Sequence, residues 1–406
     1  MNVIFISPNF PEHFYLFCDR LKRLGVSVLG IGDCPFEQLD RRVVDALTDY
    51  RWLPSLENYD SVYRTVASYI AKYGRVDYVE SQNEYWLELE ARLRDDFNVS
   101  NGFRVAELTN FKFKSKMKSF YASAGIKTTR FYLVDPKNFA GLKEFVSQVG
   151  YPIVIKPDSG VGASDTRKIT SEEELASFWD DKREVSYIAE EFVPGHVETF
   201  DGITNAKGEI LFATGQVMAV SPLEMIKGAG ENVSYTTDVI ATGLFPIGER
   251  VVKAFGVRSR FFHFEFFRLD ANHPTLGRKG DLFGLEVNMR APGGYIPDKM
   301  NYAYDVDVYQ IWAESLVYND NRSFPDYAFK YYVAHVGRGA KIQYAHSVDE
   351  IRERFHNRLL YDKEPPKSIN ATMGSHIFLL RSESLDELNA QSEYILRRSD
   401  GTSWRL

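Results

Sequence analysis

Two aromatic-rich segments, FFHFEFFRLD and LFGLEVNMR, carry acidic and polar residues at a spacing that suits cation binding. They flank a polar stretch and are predicted to form an antiparallel pair of strands. Because successive side chains of a strand alternate between its two faces, Glu286, Asn288 and Arg290 share one face. On the first segment, His263 and Glu265 share a face. A strand pair with this pattern can aim several oxygen ligands and a guanidinium into one cleft.

Two carboxylates are predicted to confront each other across this strand pair. If Leu269 lies opposite Leu282, then Glu265 lies opposite Glu286, with Cβ atoms about 5 Å apart. Like charges directly opposed destabilise a sheet, so the arrangement calls for a cation. Two carboxylates and the amide oxygen of Asn288 suit Mg²⁺. The alternative is that one glutamate faces water on an edge strand, as charged residues normally do, with Arg290 in a surface ion pair.

A lysine at the end of a predicted buried strand precedes a loop with two glycines. The strand YPIVIK delivers Lys156, and the loop PDSGVGAS follows it. Glycines let backbone N–H groups approach phosphate oxygens, and a lysine supplies the countercharge. The order of residues is not that of a Walker loop, because the lysine comes before the glycines. The segment is predicted to clamp a triphosphate, although an ordinary hairpin with a solvated lysine explains it equally well.

A third segment, IAEEFVPGHVE, reads as a strand that ends in two carboxylates before a Pro-Gly turn. Such a strand end can offer backbone groups to the edge of an adenine and the carboxylate of Glu198 to a ribose hydroxyl. Acidic strand ends are also common on protein surfaces. The segment therefore carries weight only together with the other two.

The elements that position these residues begin with an alternation of strands and helices. Buried strands are predicted at NVIFIS, VSVLGIG and VDYVES, with helices at about 11–24, 56–72 and 83–94. This alternation predicts a doubly wound parallel sheet over the first hundred residues. The loop PNFP after the first strand lacks the glycine fingerprint of dinucleotide folds, so a nicotinamide cofactor is not expected. A compact α+β unit is predicted further on, from YPIVIK to SYIAEEFV. It includes an acidic helix that the capping-box pattern beginning at Ser171 opens.

The composition bounds the class of protein. At 406 residues the chain exceeds what one hydrophobic core usually supports. A formal net charge of −7 argues against nucleic acid as a partner. Two cysteines, Cys18 and Cys34, cannot staple a chain of this length, which suits a reducing compartment. The start lacks a basic leader, and no apolar run approaches the ~20 residues that span a bilayer. A cytoplasmic protein without a membrane partner is expected.

Taken in order, these segments resemble the ATP-grasp superfamily and, within it, carboxylate-amine ligases such as the bacterial L-amino acid ligases. The resemblance covers most of the chain and includes FKSKMKSFYASAGI, IVIKPDSGVGAS, IAEEFVPGHVE, FEFF and LEVNMRAPGG. It implies an α/β and α+β architecture with an N-terminal doubly wound, Rossmann-like domain at 1–105. An ATP-grasp core would follow at 106–310, with a lid at about 130–190. An α+β region at 311–406 would complete the core.

The resemblance also implies a role for each matched residue. The implied ATP-binding residues are Lys114, Lys156, Gly160, Gly162, Ala163, Ser164, Glu190, Glu191, Phe192, Val193 and Glu198. Glu265, Glu286 and Asn288 would bind Mg²⁺, with Mn²⁺ as a substitute cation. Arg290 and Lys156 would act in catalysis, and Arg290 would stabilise the transferring phosphoryl group or the acyl phosphate.

The identity of the first phosphate-contacting lysine is left open. Many members carry an aspartate before it, whereas this chain has Phe113. Lys112 and Lys116 therefore compete with Lys114 for the role.

The implied reaction begins with in-line attack of a substrate carboxylate on the γ-phosphorus of ATP. The acyl phosphate then meets an amine, and a closing lid keeps water away from it. The expected partners are a small-molecule carboxylate and an amine, and a homodimer is left open. The alternatives are a carboxylase or carboxylate-thiol ligase of the same superfamily and a non-catalytic nucleotide-binding regulator. The four residues at the predicted metal end count against the regulator, because binding adenine alone does not need them.

Overall fold

The computed structural model describes residues 1–160, 165–219, 231–366 and 370–402. The strands in chain order are β1 (Asn2–Ile6), β2 (Ser27–Gly32), β3 (Asp49–Trp52), β4 (Tyr78–Glu80), β5 (Lys127–Thr128), β6 (Phe131–Val134), β7 (Ile153–Pro157), β8 (Arg167–Ile169), β9 (Tyr187–Glu191), β10 (Gly195–Thr204), β11 (Ile210–Met218), β12 (Asn232–Thr237), β13 (Phe261–Leu269), β14 (Leu282–Asn288), β15 (Tyr332–Arg338), β16 (Leu359–Lys363) and β17 (His376–Ser382). The helices are α1 (Tyr15–Arg23), α2 (Arg41–Ala46), α3 (Tyr59–Tyr73), α4 (Leu87–Asp96), α5 (Val105–Lys112), α6 (Lys114–Ser123), α7 (Phe139–Val149), α8 (Glu172–Asp181), α9 (Phe245–Phe255), α10 (Ile296–Tyr304), α11 (Val308–Val317), α12 (Val348–Arg354), α13 (Asn370–Met373) and α14 (Leu385–Leu396). Within these ranges no helix is long and apolar enough to cross a membrane.

The first sheet is parallel, as the alternation of elements predicts, with strand order β3-β2-β1-β4. Strand β1, in the interior of this sheet, is buried on both faces. Phe5 packs with α1 and α11, and its ring centroid lies 6.5 Å from that of Trp312. Ile4 packs on the other face with Val62 and Val66 of α3. Burial on both sides explains why the strand reads as a continuous apolar run.

A second sheet, with order β6-β9-β7-β8, is antiparallel and lies between residues 131 and 191. Helices α7 and α8 contribute Leu142, Phe145, Leu175 and Phe178 to its core. The Ser171 hydroxyl caps the start of α8, as the sequence pattern predicts. This unit carries Lys156 and Glu190 on two of its strands.

The third sheet has nine strands in the order β16-β17-β15-β12-β11-β10-β13-β14-β5. Its pairs are antiparallel except for the edge strand β5, which runs parallel to β14. One face presents Phe200, Phe262, Phe264 and Phe266 to a core beneath α6 and α9. Because strand side chains alternate, the polar residues between these phenylalanines point to the opposite face.

The register of β13 and β14 brings two carboxylates together. Glu265 lies opposite Glu286, as predicted. Nearer the turn, Leu282 pairs with Arg268, so the expectation that Leu282 lies opposite Leu269 was wrong. The cause is a β-bulge on the turn side of Glu286, which inserts one extra residue into β14.

Candidate active site

The opposed carboxylates are largely buried, with Glu265 17% and Glu286 16% exposed. The Glu265 Oε1 atom lies 3.1 Å from Nε2 of His263, and Glu286 Oε1 lies 3.5 Å from Nζ of Lys114. Burial raises the pKa of Glu286, and the neighbouring charge of Glu265 raises it further. Burial acts to raise the pKa of Glu265 too, but contact with His263 holds it below the ordinary value. Two largely buried carboxylates that oppose each other on neighbouring strands favour a cation between them.

His263 is held by two carboxylates. Its Nδ1 atom contacts Asp201, and its Nε2 atom contacts Glu265. Burial lowers the pKa of His263, but Asp201 and Glu265 outweigh it and raise the pKa to about 10. His263 is therefore a fully partnered sheet histidine that orients Glu265.

The donor set around this pair fits Mg²⁺. Asn288 is 6% exposed and lies opposite His263, on the same face as Glu286. Across the described ranges, no group of three or more His, Cys, Asp or Glu residues is arranged to hold a metal ion. The protein thus offers two carboxylates and an amide, and Mg²⁺ sites in proteins commonly take their remaining ligands from substrate phosphates and water.

Helix α6 turns two lysines toward the site and one away from it. Lys114 and Lys118 are each 4% exposed, whereas Lys112, just before α6, and Lys116, within it, are exposed. Lys114 Nζ donates a hydrogen bond to the carbonyl oxygen of Gly160 at 3.0 Å. Lys112 instead pairs with a surface glutamate at 2.6 Å. Of the three candidate lysines, Lys114 is the one that lies beside the carboxylate pair.

A buried charge cluster joins the second sheet to α6. Lys156 Nζ lies 2.6 Å from Oε2 of Glu190, and Lys118 pairs with the other carboxylate oxygen. Thr129 donates a hydrogen bond to Glu190 at 2.8 Å. Burial acts to raise the pKa of Glu190, but the two lysines hold it well below its ordinary value. The Glu190 side chain is therefore bound by lysines, and its strand is paired on both sides at this position. The adenine contact of Glu190 stays a prediction.

Lys118 was missed by the sequence analysis, although its spacing marks it. Lys114, Met117, Lys118 and Tyr121 recur at the period of a buried helix face and are all buried. The Tyr121 hydroxyl donates to the backbone carbonyl oxygens of Glu265 and Glu286, at 3.2 and 2.9 Å. The helix that carries the lysines is therefore fixed directly to the two strands that carry the carboxylates.

Side-chain contacts hold the end of β9 and the residues that follow it. The Glu191 carboxylate accepts hydrogen bonds from N and Nε of Arg130, both at 2.7 Å. The Phe192 ring lies 3.9 Å from the ammonium of Lys168. Val193 is 3% exposed, and its N–H donates to no group in the described part of the chain. This N–H has the character expected of a donor to an adenine edge.

Glu198 is not brought to the carboxylate pair. Strand β10 places Thr199 beside Glu265, so the adjacent Glu198 points to the other face of the sheet. Both carboxylate oxygens of Glu198 accept hydrogen bonds from Arg268 at 2.7 Å, and His196 contacts one of them at 3.2 Å. The ribose contact of Glu198 stays a prediction without support from these contacts.

The base of the glycine-containing loop is docked on α6. Asp158 accepts hydrogen bonds from the N–H and the hydroxyl of Ser115, both at 2.8 Å. Gly160 follows with φ +116°, a conformation that favours glycine. The predicted phosphate residues Gly162, Ala163 and Ser164 lie outside the described residues.

The loop after β4 supplies two residues that the sequence analysis missed. The Glu84 carboxylate lies 3.3 Å from Nε of Arg290, and Gln82 accepts a hydrogen bond from the N–H of Ala291 at 3.0 Å. The Arg290 guanidinium also contacts Asn288 at 3.4 Å. A cavity of about 230 Å³ adjoins this region and is bordered by Glu84, Gly160 and Glu286. No local pattern marks Glu84, because only the tertiary fold brings this loop to the site.

Comparison with known proteins places this arrangement in a fold class. No protein-family model and no curated protein matches the sequence. The L-amino acid ligase from Bacillus licheniformis is similar in structure, with a TM-score of 0.70 at 16% identity over 100% of this chain and 98% of that chain. Phosphoribosylglycinamide synthetase from Anaerococcus prevotii gives 0.65 at 14% identity over 100% and 99%. The biotin carboxylase domain of the Hydrogenobacter thermophilus 2-oxoglutarate carboxylase, in complex with MgADP, ADP and bicarbonate, gives 0.67 at 13% identity over 97% and 89%.

These likenesses extend over nearly the whole chain. The protein has the ATP-grasp fold, with the mixed α/β architecture that the sequence predicts.

Proposed function

We propose that the protein is an ATP- and Mg²⁺-dependent ligase that activates a carboxylate as an acyl phosphate and joins it to an amine. The observation that carries this proposal is the opposed pair of Glu265 and Glu286, with two buried lysines beside it. The positive charges of Lys114 and Lys156 both act on Glu286. A site that only bound adenine would not need an acidic pair and these cations in one cleft.

The chain's own residues stabilise charge on the phosphate oxygens. Lys114, Lys156 and Arg290 supply positive charge, and Glu265, Glu286 and Asn288 would hold Mg²⁺. When bound, Mg²⁺ offsets the charge of the β- and γ-phosphates during in-line transfer. A substrate carboxylate oxygen bonds the γ-phosphorus and ADP leaves. The amine nitrogen then bonds the acyl carbon, loses a proton, and phosphate leaves.

The comparisons support the cofactors and the reaction class. The two neighbours named as an L-amino acid ligase and phosphoribosylglycinamide synthetase share the fold over their full lengths. A third neighbour binds MgADP. Both cysteines of this chain are free thiols, which supports the proposed cytoplasmic location.

A screen of ADP and phosphate release tests the proposed function. Purified protein is given ATP, Mg²⁺ and pairs of amino acids or other small acids and amines, and products are identified by mass spectrometry. Release that requires both an acid and an amine, with an amide product, is expected. Release driven by bicarbonate without an amine would indicate a carboxylase, and release that requires a thiol would indicate a thiol ligase. Binding of ATP without release in any mixture would indicate a regulator.

Two lysines that lie two residues apart, Lys112 and Lys114, allow a matched test of the phosphate contact. Lys114→Met should raise the KM for ATP by roughly 10- to 100-fold, the scale of a lost charge-assisted contact. Lys112→Met, which removes an exposed ammonium 48% accessible to solvent, should change it by less than about twofold. Steady-state kinetics of ADP release give the KM for ATP in both variants. A larger effect of Lys112→Met would contradict the assignment of Lys114 as the phosphate contact.

A further inference from the structure

A second cavity lies over the same polar face of the nine-stranded sheet, further along from the carboxylate pair. Its volume is about 90 Å³, and Gly293, Tyr295 and Lys299 line it from one side. Ser234 and His335 line it from the sheet. This volume is enough for several waters, at roughly 10–15 Å³ each. It can hold a small polar group with a short stretch of chain.

Lys299 brings an uncompensated positive charge to this cavity. Its side chain is 1% exposed, and its ammonium donates a hydrogen bond to the hydroxyl of Ser234 at 2.8 Å. Among the described residues, no carboxylate lies within ion-pair distance of it. The negative charge of Asp201 acts on Lys299, but the oxygens of Asp201 are already bound by His263, Thr199 and Gln216. A buried lysine without a carboxylate partner is costly unless a ligand completes it.

The histidine that lines the cavity cannot share that charge. The Nε2 atom of His335 lies 3.0 Å from the carbonyl oxygen of Met373 and donates to it. Burial, reinforced by the charge of Lys299, lowers the pKa of His335 to about 3. The imidazole ring stacks on Tyr295 with an interplanar angle of 16°. His335 is therefore a neutral wall. Burial lowers the pKa of Lys299 to about 7, so an anion bound in the cavity would favour its charged form.

The sheet register separates this cation from the reacting end. Glu265 pairs with Thr199, Thr199 with Gln216, and Gln216 with Thr236. Ser234 lies two residues further along the same strand, on the same face. Three strand spacings amount to about 14 Å. One carboxylate cannot sit at both ends, so an anion at Lys299 is a different group from the one that is activated.

We propose that Lys299, with Ser234 beside it, binds a carboxylate that is carried by one of the two substrates and is not consumed in the reaction. The inference rests on the proposed ligase function and names its substrate class: at least one substrate has a free carboxylate besides the reacting group, as an amino-acid acceptor or a dicarboxylic donor does. The apolar walls of the cavity, Met218, Tyr295 and Met373, then enclose the short chain that bears it.

Paired substrates test this inference. Each acid that supports ADP release is compared with its amide, for example L-alanine with L-alaninamide and L-glutamate with L-glutamine. The wild-type protein should favour the free acid by roughly 10- to 100-fold in kcat/KM, the scale of a hydrogen bond to a charged group. In Lys299→Met the preference should vanish, while the KM for ATP changes less than about twofold. Lys253→Met, an exposed lysine of α9, should keep the preference.

Equal use of acid and amide by the wild type, or an unchanged preference in Lys299→Met, would overturn the inference and leave the ligase proposal standing. If no pair releases ADP, the ligase proposal fails. The inference about Lys299 is then tested by the binding of small carboxylic acids. Succinate and L-glutamate should then raise the thermal midpoint of the wild type and not of Lys299→Met, with the shift caused by MgATP retained in both. Absence of any anion-induced shift in the wild type would also overturn the inference.

Discussion

Replacing Glu286 with glutamine is expected to lower ATP turnover by about 10³-fold, the scale of losing a group aimed at transition-state charge. The substitution keeps the shape of the side chain and removes its charge. Thermal stability should stay the same or rise, because the change removes one of two opposed, largely buried carboxylates. A variant that folds at least as well as the wild type yet barely turns over would place the charge in catalysis. Single-turnover ADP formation and the thermal midpoint measure the two effects.

A matched substitution separates this effect from the loss of any glutamate. Glu249→Gln, on the exposed side of α9, should keep turnover within about twofold of the wild type. Raising the Mg²⁺ concentration should recover part of the activity of Glu286→Gln and leave Glu249→Gln unchanged. Full activity of Glu286→Gln at ordinary Mg²⁺ concentration would contradict the role of Glu286 at the phosphate end.

Lys299→Met is expected to be more stable than the wild type at pH 6, by about 5 kcal/mol as an upper estimate. Burial lowers the pKa of Lys299 to about 7 from an ordinary value of 10.5. The unfolded chain therefore binds one more proton than the folded chain between these values, and wild-type stability rises with pH across that interval. Below pH 7 the buried charge of Lys299 destabilises the wild type by the full amount, and above about pH 10.5 this destabilisation is absent. The difference between variant and wild type should therefore shrink from pH 7 to pH 10.5.

Chemical denaturation at a series of pH values measures this difference. Lys253→Met, which replaces an exposed lysine, should differ from the wild type by less than about 0.5 kcal/mol at every pH. A difference between Lys299→Met and the wild type that stays constant with pH would show that packing, and not the buried charge, separates them. A stabilised variant that has lost its preference for a free carboxylate would show that Lys299 is retained for binding at the expense of stability.

The fold and the reacting end of the site were largely predictable from the sequence. Alternation of side chains along a strand is a local property, so the face that Glu286 shares with Asn288 followed from residue order alone. The pairing of Glu265 with Glu286 was predicted from a wrong partner for Leu282, and the bulge beside Glu286 restores it. The Leu269–Leu282 pairing failed because a bulge depends on packing that no local pattern records. In α6 the helical period could have selected Lys114 and Lys118 through their spacing from Met117 and Tyr121.

Other parts of the site depend on contacts between distant segments. Glu84 follows a short strand more than 200 residues before Arg290, its partner across the cavity. Lys299 is one lysine in a helix whose surroundings come from β12 and β15. The role of a side chain such as Glu84 or Lys299 depends on its burial and its neighbours in the fold, which a local sequence pattern does not specify. The same holds for Glu198, whose partner Arg268 lies on another strand.

The polar face of the nine-stranded sheet is assembled by single residues drawn from successive strands, and this divides the labour between its two ends. The residues proposed to contact phosphate and Mg²⁺ come from α6, β7, β13 and β14, whereas those around Lys299 come from β12, β15 and α10. In the proposed ligase, substitutions in the second group would change which molecules are joined without changing the residues proposed to contact ATP. Changes at a few positions would then alter the product, which would make the proposed ligase a practical scaffold for new amides.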